Sequence, residues 1–548
     1  MQTEPGRGDG IREILDQRAR TVDNATLLGT QIRFTLDRYR SVYFYIGKNV
    51  IQIAVPETSK MTSASNASFK VAIVGAGASG IATAVYLQRA GIAFTVFERA
   101  GDVGGTWRDN TYPGLSCDIP SHLYRYSFAP NSEWSREYSP AAEIHAYFRG
   151  VAEKLGIIDK VRLSSEVTRA EFVGEGRWRI TTTQGDEGLF NAVIAATGVL
   201  HKLVLPDIDG RDSFAGASFH SSRWNHDITL GGKRVGIIGT GSTATQILPA
   251  IVDEVKSVSL FQRTPQWIIN VPNNAFSEEK KTAFRREPQK MADLYDHLNN
   301  LFNQRFAASL VGENDDGLAE MARACQQNLE DNVRDPELRR RLTPSYQAGC
   351  KRLIVSDKFY PAIQRPNAHL IDTRIMRIDP AGVRTGDGLM HELDVIVYAT
   401  GFDPFAFFRP AVILGRNGVS LNERWKDSCQ AHRSVAVPGF PNLFFIGGPN
   451  SPIGNFSFLR TAEVQIGYVT KLVKLLAEGI HREVEPTEEA THAFNAEVEQ
   501  AIKHTVWVTG GCTSWYFDKQ GKVVSWPWSY GRFEADLKQP RMEEFKAA

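Results

Sequence analysis

No charge of either sign dominates this chain: 63 Lys and Arg stand against 62 Asp and Glu, a formal net charge of +1. A balance this even leaves no electrostatic footprint for nucleic acid or an anionic membrane. No apolar run is long enough to span a bilayer, and the N-terminus opens on polar and charged residues without the apolar core of a signal peptide. A cytoplasmic protein with no transmembrane segment is expected. Cysteine is scarce. Cys117, Cys325, Cys350, Cys429 and Cys512 are odd in number, scattered, and include no CxxC pair. That spacing supports neither a zinc site nor a dithiol redox motif, so no metal is expected and a reducing setting is the simplest reading.

What is present is an ordinary globular composition, 42% hydrophobic and 23% charged, on a chain of 548 residues, too long for one core. Residues 1–68 form an N-terminal extension and linker. Within it, "RFTLDRYRSVYFYIGKNVIQIAV" reads as a docked helix or strand rather than a membrane-surface segment. "ETSKMTSASNASFK" reads as a linker, and Met61 is a possible alternative start. Two βαβ units follow, "KVAIVGAGASGIATAVYLQRAGIAFTVFERA" and "KRVGIIGTGSTATQILPAIVDEVKSVSLFQRTP". The first places apolar Ile81, Val85 and Leu87 on its helix. Two such units predict two Rossmann-like domains of α/β class. The expected organisation is 69–205, a first domain; 206–385, a second domain with a helical insertion at about 275–345; and 386–548, a return to the first domain ending in a loop and tail. The return is read from "HELDVIVYATGFDP" and "PNLFFIGGPNSPIGN".

Gly75, Gly77 and Gly80 form GxGxxG between a strand and a helix. Such glycines give the tight turn, the close approach of backbone to a pyrophosphate, and close helix–strand packing. The helix start then offers free N–H groups to the phosphates. Glu98, ending the second strand, is placed to accept both ribose hydroxyls. The second turn carries Gly239 and Gly241, with Ala244 in the third place. No acid ends its second strand. Arg263 and Thr264 stand there instead, suited to a 2′-phosphate, which favours NADP over NAD.

"GGTWRDNTYPGLSCD" resembles the glycine–tryptophan–aromatic–proline–aspartate motif of type I Baeyer–Villiger monooxygenases, with Gly104, Trp107, Tyr112, Pro113, Gly114 and Asp118 in place. "FAGASFHSSRWNHD" resembles that family's second fingerprint through Phe214, Gly216, His220 and Trp224, with Asn225 where Pro or Asp is usual. "FQRTPQW", "GCKRLIVSDKFYPA", "VYATGFDP" and "CTSWY" continue the resemblance in order over roughly residues 70–530. The resemblance implies FAD on the first domain and NADPH on the second, with the NADP domain inserted in the FAD domain. It implies oxygen insertion beside a ketone carbonyl through a C4a-peroxyflavin, giving an ester or lactone. Small-molecule ketone and O2 are then the partners. It makes Arg352 the active-site cation, Asp118 its partner beside the flavin, and Lys351 a contact to the NADP phosphate. It sets Thr106, Trp107, Arg108, Asp109 and Tyr124 along the flavin and Trp515 on a mobile loop over the nicotinamide. The cofactor-contacting set also includes Val167, Thr240, Ser242 and Gln246. His220 is read as an interdomain linker residue that couples domain motion to cofactor binding. The alternatives are a flavin-dependent N- or S-oxygenase, whose fingerprint ends differently, and a nucleotide-binding sensor without turnover. A disulfide reductase fits poorly, because Cys117 has no cysteine near it in sequence.

Overall fold

In the computed structural model, Lys70–Val74 is the central strand of a five-stranded parallel sheet. Its spatial order is Leu443–Phe445, Ala192–Ala195, Lys70–Val74, Ala93–Phe97, Val161–Arg162. Strands buried on both faces need unbroken apolar runs, and "VAIV" is buried throughout. Helix Ala78–Arg89 covers one face with Ile81, Val85 and Leu87, all buried as expected. Helix Phe458–Ala477 joins the same core. A second parallel sheet has the order Ala217–His220, Val395–Tyr398, Arg234–Ile238, Ser257–Phe261, Ala368–Ile371, with helix Ser242–Ile251 against it. Helices Glu278–Arg286, Pro288–Leu301, Asp315–Asn332 and Pro336–Leu342 occupy the segment between the second sheet's strands Ser257–Phe261 and Ala368–Ile371. The α/β class with parallel sheets is as expected.

The structure describes residues 69–548 apart from Asn455, and the backbone of four strands nearer the N-terminus. The chain divides into two compact units, 1–67 and 68–548. In the first, Arg20–Leu27, Thr30–Leu36, Ser41–Ile46 and Asn49–Ala54 form an antiparallel meander, so the aromatic and basic stretch is strand. The linker and Met61 lie outside the described residues.

Two expectations change. Val395–Tyr398 pairs with Ala217–His220 and Arg234–Ile238, so the chain is still in the second domain past residue 385. A four-residue apolar strand fits either parallel sheet, and only its pairing decides. The two connections between the sheets lie side by side: Val204 N–H donates to Gly401 O at 2.9 Å and Asp403 N–H to Lys202 O at 2.8 Å. Second, Cys350 and Cys512 are joined by a disulfide across 162 residues, against the reducing setting read from scattered cysteines. Spacing rules see only near pairs. Cys117, Cys325 and Cys429 are free and buried. Among the described residues no helix is long and apolar enough to cross a membrane.

Candidate active site

The backbone of the two glycine turns packs closely on its surroundings in one place and stands open in another. A Cβ on Gly80 would collide with Gly75 O, which explains the third glycine as a packing requirement. A Cβ on Gly241 would meet nothing within 4 Å, so space stands open before the second turn. Both helices begin without a side-chain cap, leaving their first N–H groups available. Glu98 is buried. Its Oε2 accepts Ala76 N–H at 2.8 Å, and its Oε1 accepts Ala100 N–H at 3.0 Å and Arg108 at 3.1 Å. A carboxylate has about four acceptor sites. Three of these are filled by the protein, and one lone pair of Oε2 is left without a protein donor.

Thr106–Asp109 forms one helical turn beside the first glycine turn. Arg108 bonds Asp109 at 2.7 Å and Glu98, and Trp107 Nε1–H donates to Tyr124 Oη at 3.0 Å. Burial first, then neighbouring charges including that of Asp118, keep the Tyr124 phenol protonated at any working pH. Val167 is buried in the core under the first sheet, with Val74 and Phe97. Its side chain faces that core.

At the second turn, Thr240 Oγ1 donates to Thr264 O at 2.8 Å, tying the turn to the segment that carries Arg263. Arg263 is exposed and has no ion-pair partner among the described residues. Lys351 lies over the Tyr346 ring at 4.9 Å. Burial first, and then the charge of Arg263, lower the Lys351 pKa. Two cations held near each other favour an anion between them. Ser242 opens the helix and Ala244 is buried in its core. Gln246 is turned elsewhere. It receives Tyr112 Oη–H at 3.2 Å and donates to Ser116 O at 3.0 Å, fastening the "TYPGLS" loop to the second domain's helix.

Asp118 and Arg352, 234 residues apart in sequence, meet in a two-bond fork: Nε to Oδ2 at 2.8 Å and Nη2 to Oδ1 at 2.7 Å. Both are partly buried. Burial works to raise the Asp118 pKa, but the Arg352 charge outweighs it and the carboxyl sits below its ordinary range. Burial likewise works to lower Arg352, and Asp118 outweighs it, so the guanidinium is permanently charged. Tyr516, which the sequence reading passed over for its neighbour Trp515, is buried against this pair. Burial raises its phenol and the Arg352 charge pulls it back. Its ring contacts Trp507 and Trp515, each at 5.3 Å between centroids. Trp515 and Tyr516 line one wall of a cleft whose other walls are Phe405, Phe407, Gly447, Gly448, Asn450 and Ile453. "IGGPN" was legible as a glycine turn, but nothing in its spacing marked it as a cleft wall.

The second fingerprint proves to be architecture. The Phe214 ring lies where a Cβ on Gly216 would fall, and Trp224 packs edge-on against Phe219 at 5.1 Å. His220 ends an edge strand of the second sheet, so it does not lie in a linker; parallel pairing with Tyr398 fixes it there. Its Nδ1 accepts Ser222 N–H at 3.1 Å, so Nε2 carries the proton and donates to Gly401 O at 3.1 Å. Gly401 O is the same carbonyl that accepts Val204 N–H. The ring thus holds the Gly401 connection from inside the sheet, and the carbonyl it binds also accepts the Val204 N–H of the other connection. Burial first lowers its pKa, which favours this neutral tautomer.

Residues 68–506 match the family described as flavin-binding monooxygenase-like. The chain is 43% identical over 452 residues to an uncharacterized monooxygenase of Mycobacterium tuberculosis, covering 82% of this chain and 90% of the relative. It is 38% identical over 481 residues to a Baeyer–Villiger monooxygenase of Streptomyces coelicolor, covering 87% and 92% respectively. The crystal structure of OTEMO in complex with FAD and NADP superposes with a TM-score of 0.78 at 26% identity, covering 88% of this chain and 99% of that one. With a fork joining Asp118 to Arg352 and two uncapped glycine turns, the chain belongs to the Baeyer–Villiger monooxygenases of the flavin-binding monooxygenase-like family and is an oxidoreductase of that class.

Proposed function

We propose that this chain binds FAD at its first glycine turn and NADPH at its second, and inserts one oxygen atom of O2 beside a ketone carbonyl to give an ester or lactone. The observation that carries the reading is the Asp118–Arg352 fork, a fixed cation held by two distant segments beside an aromatic-walled cleft. The open space before Gly241 and the free N–H groups at both helix starts fit dinucleotide phosphates. FAD, when bound, supplies hydride acceptance from NADPH and activation of dioxygen. Arg352 holds a permanent positive charge where anionic oxygen develops, and Asp118 fixes its direction. Arg263, Thr264 and Lys351 select the 2′-phosphate of NADPH. Trp515 and Tyr516 cover the cleft and exclude water. The FAD domain comprises 69–205 and the chain after about residue 400, with the NADP domain between them.

The test is a ketone panel (linear, cyclic, aryl and steroid) with amines and thioethers alongside, products identified by mass spectrometry. The expected result is a yellow protein whose NADPH and oxygen use rises with a ketone and whose product is one oxygen heavier. Oxidation of amines or thioethers alone would move the chain to the N- or S-oxygenases. Nucleotide binding without oxygen consumption would make it a sensor.

A further inference from the structure

The Cys350–Cys512 disulfide joins two stretches that matter separately. Cys350 is buried and stands two residues before Arg352; Cys512 is partly exposed and stands three residues before Trp515. Gln347 N–H donates to Gly510 O at 2.9 Å, which fixes the base of the second stretch. Beyond that base, no hydrogen bond among the described residues links 511–515 to anything outside 510–517. Gly511 and Thr513 are exposed. The sulfur bridge is therefore the one covalent tie of 511–515 to the body of the molecule, and Cys512 and Trp515 otherwise only pack, partly buried, on the apolar cluster that holds Cys350. Weakly tied, exposed segments are the ones that open locally.

We propose that Cys350 and Cys512 form a reversible redox crosslink: oxidation fixes residues 511–515 and their Trp515 beside the Arg352 segment, and reduction releases them. The oxidant is hydrogen peroxide. The more exposed Cys512 thiolate attacks one peroxide oxygen, becomes a sulfenic acid and releases hydroxide, which takes a proton to become water. The Cys350 thiolate then attacks the Cys512 sulfur and expels hydroxide, which takes the second proton. Two thiols and one peroxide thus give one disulfide and two waters. A dithiol or phosphine returns the two electrons. Cys325 lies in the same apolar cluster but is free, and it is Cys350 that stands within bonding reach of Cys512.

The consequence for turnover rests on the proposed monooxygenase reading, whereas the crosslink itself is read without turnover. FAD-loaded full-length protein is divided between peroxide and phosphine treatment, thiols are blocked, and peptides are mapped by mass. Trypsin cutting after Lys519 and Lys522 reports the freedom of the segment. The peroxide form is expected to yield the Cys350–Cys512 peptide pair and to be cut about tenfold more slowly than the reduced form. Cys512→Ser and Cys350→Ala are expected to be cut at the reduced rate under both treatments. The KM for NADPH is expected to be roughly threefold lower in the crosslinked form, because the segment is already placed. Alkylation of both thiols after peroxide, or pairing of either with Cys325, overturns the crosslink. A crosslinked protein whose cutting rate and KM ignore reduction overturns the gate. Redox-dependent cutting in a protein that oxidises no ketone upholds the crosslink and rejects the reaction instead.

Discussion

Arg352 reaches Asp118 through a fork that lysine cannot copy. Arg352→Lys retains charge and loses direction. Product formation is expected to fall by about 100-fold with nucleotide affinity unchanged, measured by product yield and NADP titration. An unaltered product rate would remove Arg352 from the reaction. Asp118 was legible because it closes a family motif, and Arg352 because it stands within "GCKRLIVSDKFYPA". Tyr516 was not: an adjacent Trp and Tyr look alike in sequence, and only burial against Arg352 separates them. Asn225 shows the reverse. It departs from the fingerprint, yet its Oδ1 accepts Asp227 N–H at 3.0 Å, the turn-forming bond an aspartate makes. The mismatch thus keeps the local turn that an aspartate would make.

Helix Glu278–Arg286 docks on the loop after Asp118 by enclosing His122 between Phe276, at 5.1 Å, and Phe284, at 4.7 Å. Neither ring nitrogen has a protein partner among the described residues. Burial first, then the charges of Arg125 and Lys280, push this histidine from 6.5 down to about 4. The folded pKa lies below the unfolded one, so the unfolded chain binds the proton first on acidification. The stability of the neutral ring is complete above pH 6.5 and is lost as pH falls toward about 4. His122→Phe is expected to flatten the fall in Tm across that window; parallel slopes for variant and parent would reject the assignment. The helical spacing of this segment could be read from sequence. What it packs on could not, because a lone histidine in a loop carries no sign of its partners. The strand Val395–Tyr398 failed for the same reason, since four apolar residues fit either sheet.

Across the whole molecule, the order of the two glycine turns and the helical insertion was visible, because local spacing encodes each unit. The place of His220 was not, because its role arises where two connections meet. Its Nε2–H on Gly401 O ties the end of the second sheet's edge strand to one connection, beside the point where Val204 joins the other. His220→Ala is expected to raise the NADPH consumed per product by about threefold or more, with both nucleotides still bound. The ratio of NADPH lost to product made decides it, and an unchanged ratio leaves His220 a packing residue.

Thr400 Oγ1–H donates to Val204 O, so residues 196 positions apart in sequence touch where the chain passes between the two sheets. To that sheet, the whole second domain is a loop whose ends are already closed. Loop-closure entropy grows only slowly with length, so changes in the length of what lies between weigh little on the first sheet. The first sheet is thereby insulated from changes of length in the second domain, except through helices Glu278–Arg286 and Pro288–Leu301, which Phe284 and Tyr295 anchor on the first domain.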